Sequence, residues 1–421
     1  MPVAPACSRE TRARNIESLK SGPLDVLIAG GGVNGAGVIR DLALRNVRSG
    51  GKLRIGLVEK GHFASGTSGK NSHLIHGGLR YLKYLDFKLV REALRERAVL
   101  LAIAPHLVEP LHFLIPFENG LDKLFYRTGL SVYDWLAGKH GIANHRAVSL
   151  KEMARTEPDL KTENFVAGAC FLDCRVQSAR LVLENIFEAI RHGAAAVNYM
   201  EMIQRTRLNG SGWQVRLRDR ESGEEFETRA NRIVDATGAW SGEDSVRLVR
   251  GSHLILPRMN RSEAAVAYFE PSGRIVFFIP WGSSLQCTLV GTTDVDHQDG
   301  PDAVRISQEE VQYLLTVARR VFREDAIGEP ISAFSSLRPL VRDPSASATK
   351  TSREHKIWED NGVLHIAGGK YTTYRLMSQE VCDLFCREAA PSLEALHLSG
   401  EVPVEGNSPL AIRELLDAAP E

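Results

Sequence analysis

Residues 25–37 read DVLIAGGGVNGAG, a short apolar run followed by glycines. The run has the length of a buried strand, and the residues after it repeat apolar side chains at helical spacing. A strand, a tight turn and a helix in this order form the context that the glycine fingerprint of dinucleotide-binding sites requires. The stretch therefore predicts the first βαβ unit of a Rossmann-like α/β fold.

Gly30, Gly32 and Gly35 fall in the GxGxxG register of that fingerprint. The first glycine allows the tight turn, the second lets a pyrophosphate approach the backbone, and the third lets helix and strand pack closely. A second apolar run, residues 53–58, ends at Glu59, whose carboxylate is placed to bind a ribose hydroxyl. Glycine-rich turns also occur without a ligand, but the strand, the helix and the terminal acid together favour a dinucleotide site.

The composition is that of an ordinary globular protein of two or three domains. Lys plus Arg and Asp plus Glu both number 52, so no overall positive field indicates nucleic-acid binding. Six scattered cysteines predict thiols in a reducing compartment, and their spacing does not favour a metal site. Residues 1–23 lack the apolar core of a signal peptide, and no stretch approaches the ~20 apolar residues of a membrane-spanning helix. We therefore expect a cytoplasmic protein without metal.

The pattern of apolar and turn-forming residues changes in the second half of the sequence. Residues 253–294 contain short β-rich runs such as HLILP and RIVFFIPW, which Gly, Pro and Ser clusters separate. This pattern favours antiparallel sheet over further βαβ units. Residues 87–102 repeat apolar positions at helical spacing and predict a surface helix. The sequence beyond Pro391 is weakly patterned and predicts a loosely packed tail.

Residues 64–82, ASGTSGKNSHLIHGGLRYL, closely resemble a segment of the FAD-dependent glycerol-3-phosphate dehydrogenases, which belong to the D-amino-acid-oxidase-like flavoproteins. Other segments agree with that family in order and spacing, among them IVDATGAW, VGTTDVD, SSLRPLVRD and GGKYTTYR. The resemblance spans residues 24–388. It implies FAD as the cofactor and oxidation of sn-glycerol 3-phosphate to dihydroxyacetone phosphate by hydride transfer to flavin N5. Electrons would then pass to quinone or another acceptor.

The resemblance also implies how the chain is divided, because in such flavoproteins a discontinuous FAD-binding domain surrounds a smaller, mainly antiparallel-β substrate domain. We expect the FAD-binding domain at 24–110, 165–245 and 340–390, the substrate domain at 111–164 and 246–339, and a C-terminal tail at 391–421. We also expect this sequence to lack the helical domain that relatives carry after the last predicted helix. The oligomeric state stays open.

The resemblance places residues at the cofactor one position at a time. Some would hold the ADP half of FAD, others would line the phosphates and the flavin, and the backbone of Val197 would meet the adenine. The full set expected at the cofactor is Gly30, Gly32, Asn34, Gly35, Glu59, Lys60, Thr67, Ser68, Ser72, Leu74, Val197, Ala236, Gly238, Gly369, Lys370 and Thr372.

A histidine is the expected base that accepts the proton of the substrate hydroxyl. His76 in LIHGG leads, because an imidazole titrates near neutral pH and Gly77 and Gly78 allow close approach of flavin or substrate. The alternative is that His76 is a core histidine hydrogen-bonded to the backbone. His253 is a second choice from the same comparison, and the sequence does not rank the two.

Cations are expected to bind the phosphate and to stabilise the reduced flavin. Arg80 and Arg338 would clamp the phosphate and the hydroxyl of the substrate, since a guanidinium matches phosphate geometry bidentately. Lys370 would stabilise the negative charge that develops on the flavin, and Arg353 is a further choice for contact with substrate. Without the resemblance, each of these arginines would more often be a solvated surface residue, and Lys370 would more often be an ordinary lysine at the start of a helix.

This chain departs from the family pattern near the expected flavin. His73 stands where a lysine is usual, Gln177 and Ser178 replace a pair of aspartates, and Ala239 replaces a proline. The lost charges should alter the local electrostatics.

Residues 121–139, LDKLFYRTGLSVYDWLAGK, mix basic and aromatic side chains as helices at membrane interfaces do. We expect peripheral contact on the cytoplasmic face of a membrane; the ordinary alternative is a helix that packs on its own protein. Two other functions stay open on the same fold. One is an amine or amino-acid oxidoreductase, and the other is a shortened relative that binds FAD without turnover.

Overall fold

The computed structural model describes residues 6–209, 211–242, 246–282, 286–342, 355–394 and 396–404, and within these ranges leaves the side chains of residues 80, 83 and 84 undescribed. In this part of the chain the helices are α1 (Arg9–Lys20), α2 (Val33–Arg48), α3 (Phe87–Ile103), α4 (Gly120–Ala137), α5 (Leu150–Thr156), α6 (Ser178–Arg191), α7 (Gln308–Val321) and α8 (Tyr374–Ala389).

The strands of the same ranges form two sheets. In chain order they are β1 (Leu24–Ala29), β2 (Ile55–Glu59), β3 (Leu74–Ile75), β4 (Val108–Phe117), β5 (Arg146–Val148), β6 (Ala167–Val176), β7 (Ala195–Asn198), β8 (Met200–Arg207), β9 (Trp213–Asp219), β10 (Glu225–Asp235), β11 (Val246–Pro257), β12 (Ala265–Phe269), β13 (Ile275–Trp281), β14 (Cys287–Gly291), β15 (Val295–Asp296), β16 (Ser332–Val341), β17 (His355–Asp360) and β18 (Val363–Gly368).

The first sheet contains the βαβ unit predicted from the glycine-rich stretch. Its parallel strands lie in the order β18, β10, β1, β2, β7, while β17 and the β8–β9 hairpin join it antiparallel. The carboxyl ends of parallel strands meet at one edge of a sheet, which is where ligands bind in open α/β folds. The predicted Rossmann-like α/β class is confirmed.

Burial of apolar side chains on both faces stabilises this sheet. Val26 and Ile28 on β1 are fully buried and belong to the same core cluster as Val38 and Leu42 of α2. Burying one such side chain contributes roughly 1.5–3 kcal/mol. Gly35 brings helix and strand together, because a Cβ on it would lie 2.0 Å from the carbonyl oxygen of Gly30.

The second sheet is almost entirely antiparallel, as predicted for residues 253–294. Its strand order is β15, β11, β14, β13, β12, β4, β6, β3, with β16 paired to β11 and β5 paired to β6. The exception is the parallel pairing of β12 with β4. Strand β6 lies inside the 165–245 range expected for the FAD-binding domain, yet it pairs along its whole length with β4. Residues 167–176 thus belong to the second sheet.

The segment after α8 is packed, which corrects the prediction of a loose tail for its described part, residues 391–394 and 396–404. The buried guanidinium of Arg40 donates to the carbonyl oxygens of Ser399 and Val402 at 3.1 and 2.8 Å. Val404 is buried as well. Sequence periodicity does not show such bonds, because they join a helix to irregular backbone far along the chain. The remaining tail residues, 395 and 405–421, lie outside the described ranges.

Candidate cofactor and active site

A cleft of about 820 Å³ lies at the carboxyl edge of the first sheet and takes its other wall from the second sheet. This volume is within the range of cofactor sites. Its lining begins at the ends of β1, β2 and β10 and reaches β16 and the turn after β18. Of the residues predicted at the site, those that line it are Gly30, Gly32, Asn34, Glu59, Lys60, Thr67, Ser68, Ser72, Leu74, His76, Ala236, Gly238, Arg338, Gly369 and Lys370.

The glycine-rich turn has the backbone geometry that a dinucleotide requires. Gly30 adopts a φ of +108°, and a Cβ on it would lie 2.5 Å from the carbonyl oxygen of Ala236. Gly32 is the N-cap of α2 and brings no side chain into the cleft. The hydroxyl of Ser68 accepts from the N–H of Val33 at 2.9 Å. The positive end of α2 therefore faces the cleft, where it favours phosphate groups.

Glu59 is fixed at the end of β2 by two backbone donors. Its carboxylate accepts from the N–H of Gly31 at 2.7 Å and from the N–H of Gly61 at 2.8 Å. A carboxylate can accept about four hydrogen bonds, so capacity for ribose hydroxyls remains.

Arg338 lies flat against the second sheet at the other end of the cleft. It faces Val249 across the β11–β16 ladder, and its guanidinium extends over Gly251 on β11. It donates to the carboxylate of Asp294 at 2.8 Å, to the hydroxyl of Thr292 at 2.7 Å and to the carbonyl of Thr293 at 3.0 Å. The cation is thereby held in one orientation beside a buried carboxylate.

His253 lies behind this wall. Its ring lies over Gly291, stacks on Phe334 at 4.9 Å between centroids, and has Nε2 2.8 Å from the hydroxyl of Ser72. Burial, with the charge of Arg338 as a second cause, lowers the pKa of His253 to about 3. Ser72 lines the cleft and His253 does not. The structure therefore does not place the second-choice base at the cleft surface.

His76 is held at the cleft through its backbone. Its N–H donates to the hydroxyl of Thr372 at 3.1 Å, and that hydroxyl donates to the His76 carbonyl at 3.2 Å. Thr372 is itself buried and does not line the cleft. Gly78, two residues after the histidine, takes a φ of +80°, which turns the chain there.

A buried polar network that the sequence did not reveal supports this turn. The hydroxyl of Tyr133 accepts from the N–H of Gly77 at 2.8 Å and donates to Asp173, which also pairs with the guanidinium of Arg97. Burial raises the pKa of Asp173, and Arg97 opposes that rise. The three side chains come from α3, α4 and β6, so only the fold brings them together.

Lys370 follows two glycines of left-handed backbone, Gly368 and Gly369, at φ of +75° and +77°. Its Nζ lies 4.1 Å from the ring centroid of Tyr81, which also lines the cleft and was not among the predicted residues. Tyr81 stands beside Arg80 in the LRYL segment, and that adjacency was the one signal for it in the sequence.

Gly35 and Val197 are both buried, and neither lines the cleft. The side chain of Arg80 and the whole of Arg353 lie outside the described part of the chain.

Residues 25–378 match the protein family described as FAD dependent oxidoreductase, DAO. The chain belongs to this family. This DAO-family chain is 35% identical over 372 residues to D-erythritol 1-phosphate dehydrogenase of Brucella abortus, covering 84% of the chain and 72% of the relative. It is 34% identical over 377 residues to aerobic glycerol-3-phosphate dehydrogenase of Escherichia coli, covering 85% and 72%.

A solved structure shares the fold over nearly the whole DAO-family chain. It is the glycerol-3-phosphate dehydrogenase of Bacillus halodurans complexed with FAD, with a TM-score of 0.73 and 26% identity. The match covers 99% of this chain and 74% of that one.

FAD is the cofactor of this DAO-family protein, and the described residues fit it. The α2 N-terminus and Ser68 would hold the phosphates, and Glu59 the ribose of the ADP half. The hydroxyl of Thr67 donates to the carbonyl of Leu337 and ties the phosphate-side loop to β16. Lys370 lies at the far end, where a cation would stabilise negative charge on a reduced flavin.

Two of the departures from the family pattern, His73 and Ser178, contact one another in this DAO-family chain. His73 Nδ1 lies 2.9 Å from the hydroxyl of Ser178, and the His73 ring lies 4.3 Å from that of Trp281. Burial lowers the pKa of His73 to about 4. His73 and Ser178 therefore form a neutral hydrogen-bonded pair where the family pattern has a lysine and two aspartates. This chain lacks both the positive and the negative charge at that place.

Proposed function

We propose that the protein oxidises sn-glycerol 3-phosphate at its secondary hydroxyl and forms dihydroxyacetone phosphate. The observation that carries this proposal is that His76, Arg338 and Lys370 line one cleft with the dinucleotide turn. Glycerol-3-phosphate dehydrogenases of Escherichia coli and Pseudomonas aeruginosa, 34% and 35% identical to the chain, support the choice of substrate.

The three side chains divide the chemistry between them. Bound FAD supplies the acceptor for the hydride that leaves C2 of the substrate. His76 takes the proton of the C2 hydroxyl as the carbonyl forms, which balances the two-electron oxidation. Arg338 binds the phosphate, because its planar guanidinium donates two parallel hydrogen bonds to oxyanions. Lys370 offsets negative charge at the flavin.

A second polyol phosphate also has support. The Brucella abortus relative is a D-erythritol 1-phosphate dehydrogenase and is as similar to the chain as the glycerol-3-phosphate dehydrogenases are. Both substrates present a phosphate and secondary hydroxyls, so the same clamp serves either. Comparing kcat/KM for the two with an artificial electron acceptor tests the preference. A higher value for D-erythritol 1-phosphate would overturn the choice of glycerol 3-phosphate.

An amine or amino-acid substrate is less consistent with the site. Such a substrate calls for one cation at its carboxylate and an apolar cage at its amine, whereas Arg338 and Lys370 both face this cleft. We expect inorganic phosphate to inhibit by competition and acetate to inhibit weakly. Stronger inhibition by acetate would favour the amino-acid alternative.

We also propose peripheral membrane contact through the outer face of α4, with membrane quinone as the electron acceptor. The inner face, with Leu130 and Tyr133, is buried. The outer face exposes Leu121, Leu124, Phe125 and Trp135, of which Leu121 is 80% and Trp135 77% exposed. Lys123 and Arg127 are exposed beside this apolar stripe and favour anionic lipid. Within the described residues, no helix is long and apolar enough to cross a membrane.

Vesicle flotation tests this surface. The FAD-loaded protein should float with vesicles of anionic phospholipid, and the double variant Leu124→Glu, Trp135→Glu should not. Ile331→Glu is the matched control, because Ile331 is an exposed apolar residue outside α4. Equal flotation of all three proteins would contradict this membrane contact.

A further inference from the structure

Three side chains meet across the outer part of the cleft, at the end where Glu59 lies. Lys60 follows β2 and Trp240 follows β10, so both extend from the first sheet, whereas Asp302 lies between β15 and α7. The indole Nε1 of Trp240 donates to Asp302 Oδ1 at 2.8 Å. Lys60 Nζ lies 4.7 Å from the centroid of the Trp240 ring and 3.4 Å from Asp302 Oδ1.

This cross-cleft cluster of Lys60, Trp240 and Asp302 adjoins the cofactor turn and loop. All three residues line the cleft, as do Gly32 and Glu59. The Trp240 ring packs over Gly66, where a Cβ would lie 3.1 Å from Cζ3 of the indole. The contacts therefore join the two walls of the cleft next to the residues that hold the ADP half of the cofactor.

We propose that the cross-cleft cluster is a latch, which closes this end of the cleft over bound FAD and slows release of the cofactor. A ligand held between two walls leaves faster when the contacts that join the walls are removed. Each contact alone is weak, because Asp302 is exposed to solvent and ion pairs at the surface contribute little. The expected effect is thus a several-fold change in the release rate, with FAD binding retained.

The release of FAD from the loaded protein measures the latch. Diluted protein should show a rise in free flavin fluorescence that is about three- to tenfold faster in Asp302→Ala and in Trp240→Phe than in wild type. Asp299→Ala is the charge-matched control, since this exposed acid lies on the same segment and has no ion pair across the cleft among the described residues. Its release rate should equal that of wild type.

Two further measurements identify the contact. The double variant Asp302→Ala, Trp240→Phe should release FAD no faster than the faster of the two single variants, because both changes remove the same hydrogen bond. Added salt should speed release from wild type more than from Asp302→Ala, because it screens the Lys60–Asp302 pair in addition to the charges that both proteins share. Asp302→Asn keeps the size of the side chain and provides the same test if the alanine variant does not fold.

The thermal midpoint separates a latch from ordinary packing. The apoproteins of wild type and variants should unfold at similar temperatures, while added FAD should raise the midpoint less in the variants. Wild-type release rates in both Asp302→Ala and Trp240→Phe would overturn the proposal. The proposal would also be overturned if the variants unfolded at a lower temperature than wild type without FAD, while added FAD raised the midpoint equally in all of them.

Discussion

The guanidinium of Arg338 lies so close over Gly251 that a Cβ on residue 251 would come within 2.3 Å of Arg338 Nη2. The guanidinium occupies the space that a side chain on residue 251 of the neighbouring strand would take. Gly291 has the same relationship to the ring of His253. Two glycines of adjacent strands thus let two large polar side chains lie flat against the sheet.

Gly251→Ala should weaken substrate binding and lower the stability of the fold, because the displaced guanidinium leaves the buried carboxylate of Asp294 without its partner. The atoms that the new methyl group meets are the end of a flexible side chain, so the guanidinium moves and the backbone does not. We expect KM for glycerol 3-phosphate to rise about 10-fold or more, in proportion to the charged hydrogen bonds lost. Gly129→Ala is the control, because a Cβ there meets nothing within 4 Å. An unchanged KM would show that the position of Arg338 does not matter for the substrate.

Arg338→Ala should raise KM by about 100-fold or more, since it removes the charged partner that we propose for the phosphate, and should leave FAD bound. Steady-state kinetics and the flavin absorbance of the purified protein measure the two effects. Arg319→Ala, an exposed arginine of α7, should match wild type in both. Wild-type kinetics in Arg338→Ala would remove this residue from its proposed role.

His73 should make the protein less stable as the pH falls. Its folded-state pKa of about 4 lies below the ordinary value of 6.5, so between these values the unfolded chain binds a proton that the folded one does not. The stabilisation is therefore complete above pH 6.5 and falls by up to about 1.4 kcal/mol per pH unit down to about pH 4.

The variant His73→Asn isolates this effect. Asparagine suits the left-handed backbone at this position, where φ is +52°, and does not titrate. Between pH 7 and pH 5 the thermal midpoint of wild type should fall further than that of the variant. His112→Asn, at an exposed position on β4, should follow wild type. Parallel curves for wild type and His73→Asn would contradict the lowered pKa.

Asp173→Ala should cost about 3–5 kcal/mol of stability, because it leaves the buried guanidinium of Arg97 without its carboxylate. The double variant Arg97→Met, Asp173→Leu should lose less, since no buried charge is then unpaired. Thermal unfolding with saturating FAD measures both. A double variant less stable than Asp173→Ala would count against this explanation.

The parts of the fold that local pattern encodes were predictable from the sequence. The glycine turn and Glu59 follow buried strands directly along the chain, so a short window contains the whole signal. Residues 87–102 form the predicted helix, α3, which exposes Lys88, Arg91 and Arg95 on one face and buries the other face more deeply than the sequence indicated. Glu96 is buried because it pairs with Arg375 of α8 at 2.7 Å. A charged residue at helical spacing is predicted to face solvent when its partner lies far along the chain.

Other features of the site depend on pairing between distant strands. The register that sets Arg338 beside Gly251, and the contact of Ser72 with His253, follow from strand pairing and loop placement, which no short window of the sequence reports. The same holds for the support that Tyr133 and Asp173 give to the turn after His76. The resemblance supplied residue types for the cleft, but not the contacts that orient them.

Anaerobic titration of the FAD-loaded protein with glycerol 3-phosphate is the most direct test. The visible flavin absorbance should bleach as the substrate is added, with dihydroxyacetone phosphate formed in amounts equal to the flavin reduced. If the protein binds FAD but keeps its full flavin absorbance when glycerol 3-phosphate is added, the proposed function is contradicted. Bleaching by an amino acid would then favour the amino-acid alternative, and no bleaching by either compound would favour a relative without turnover.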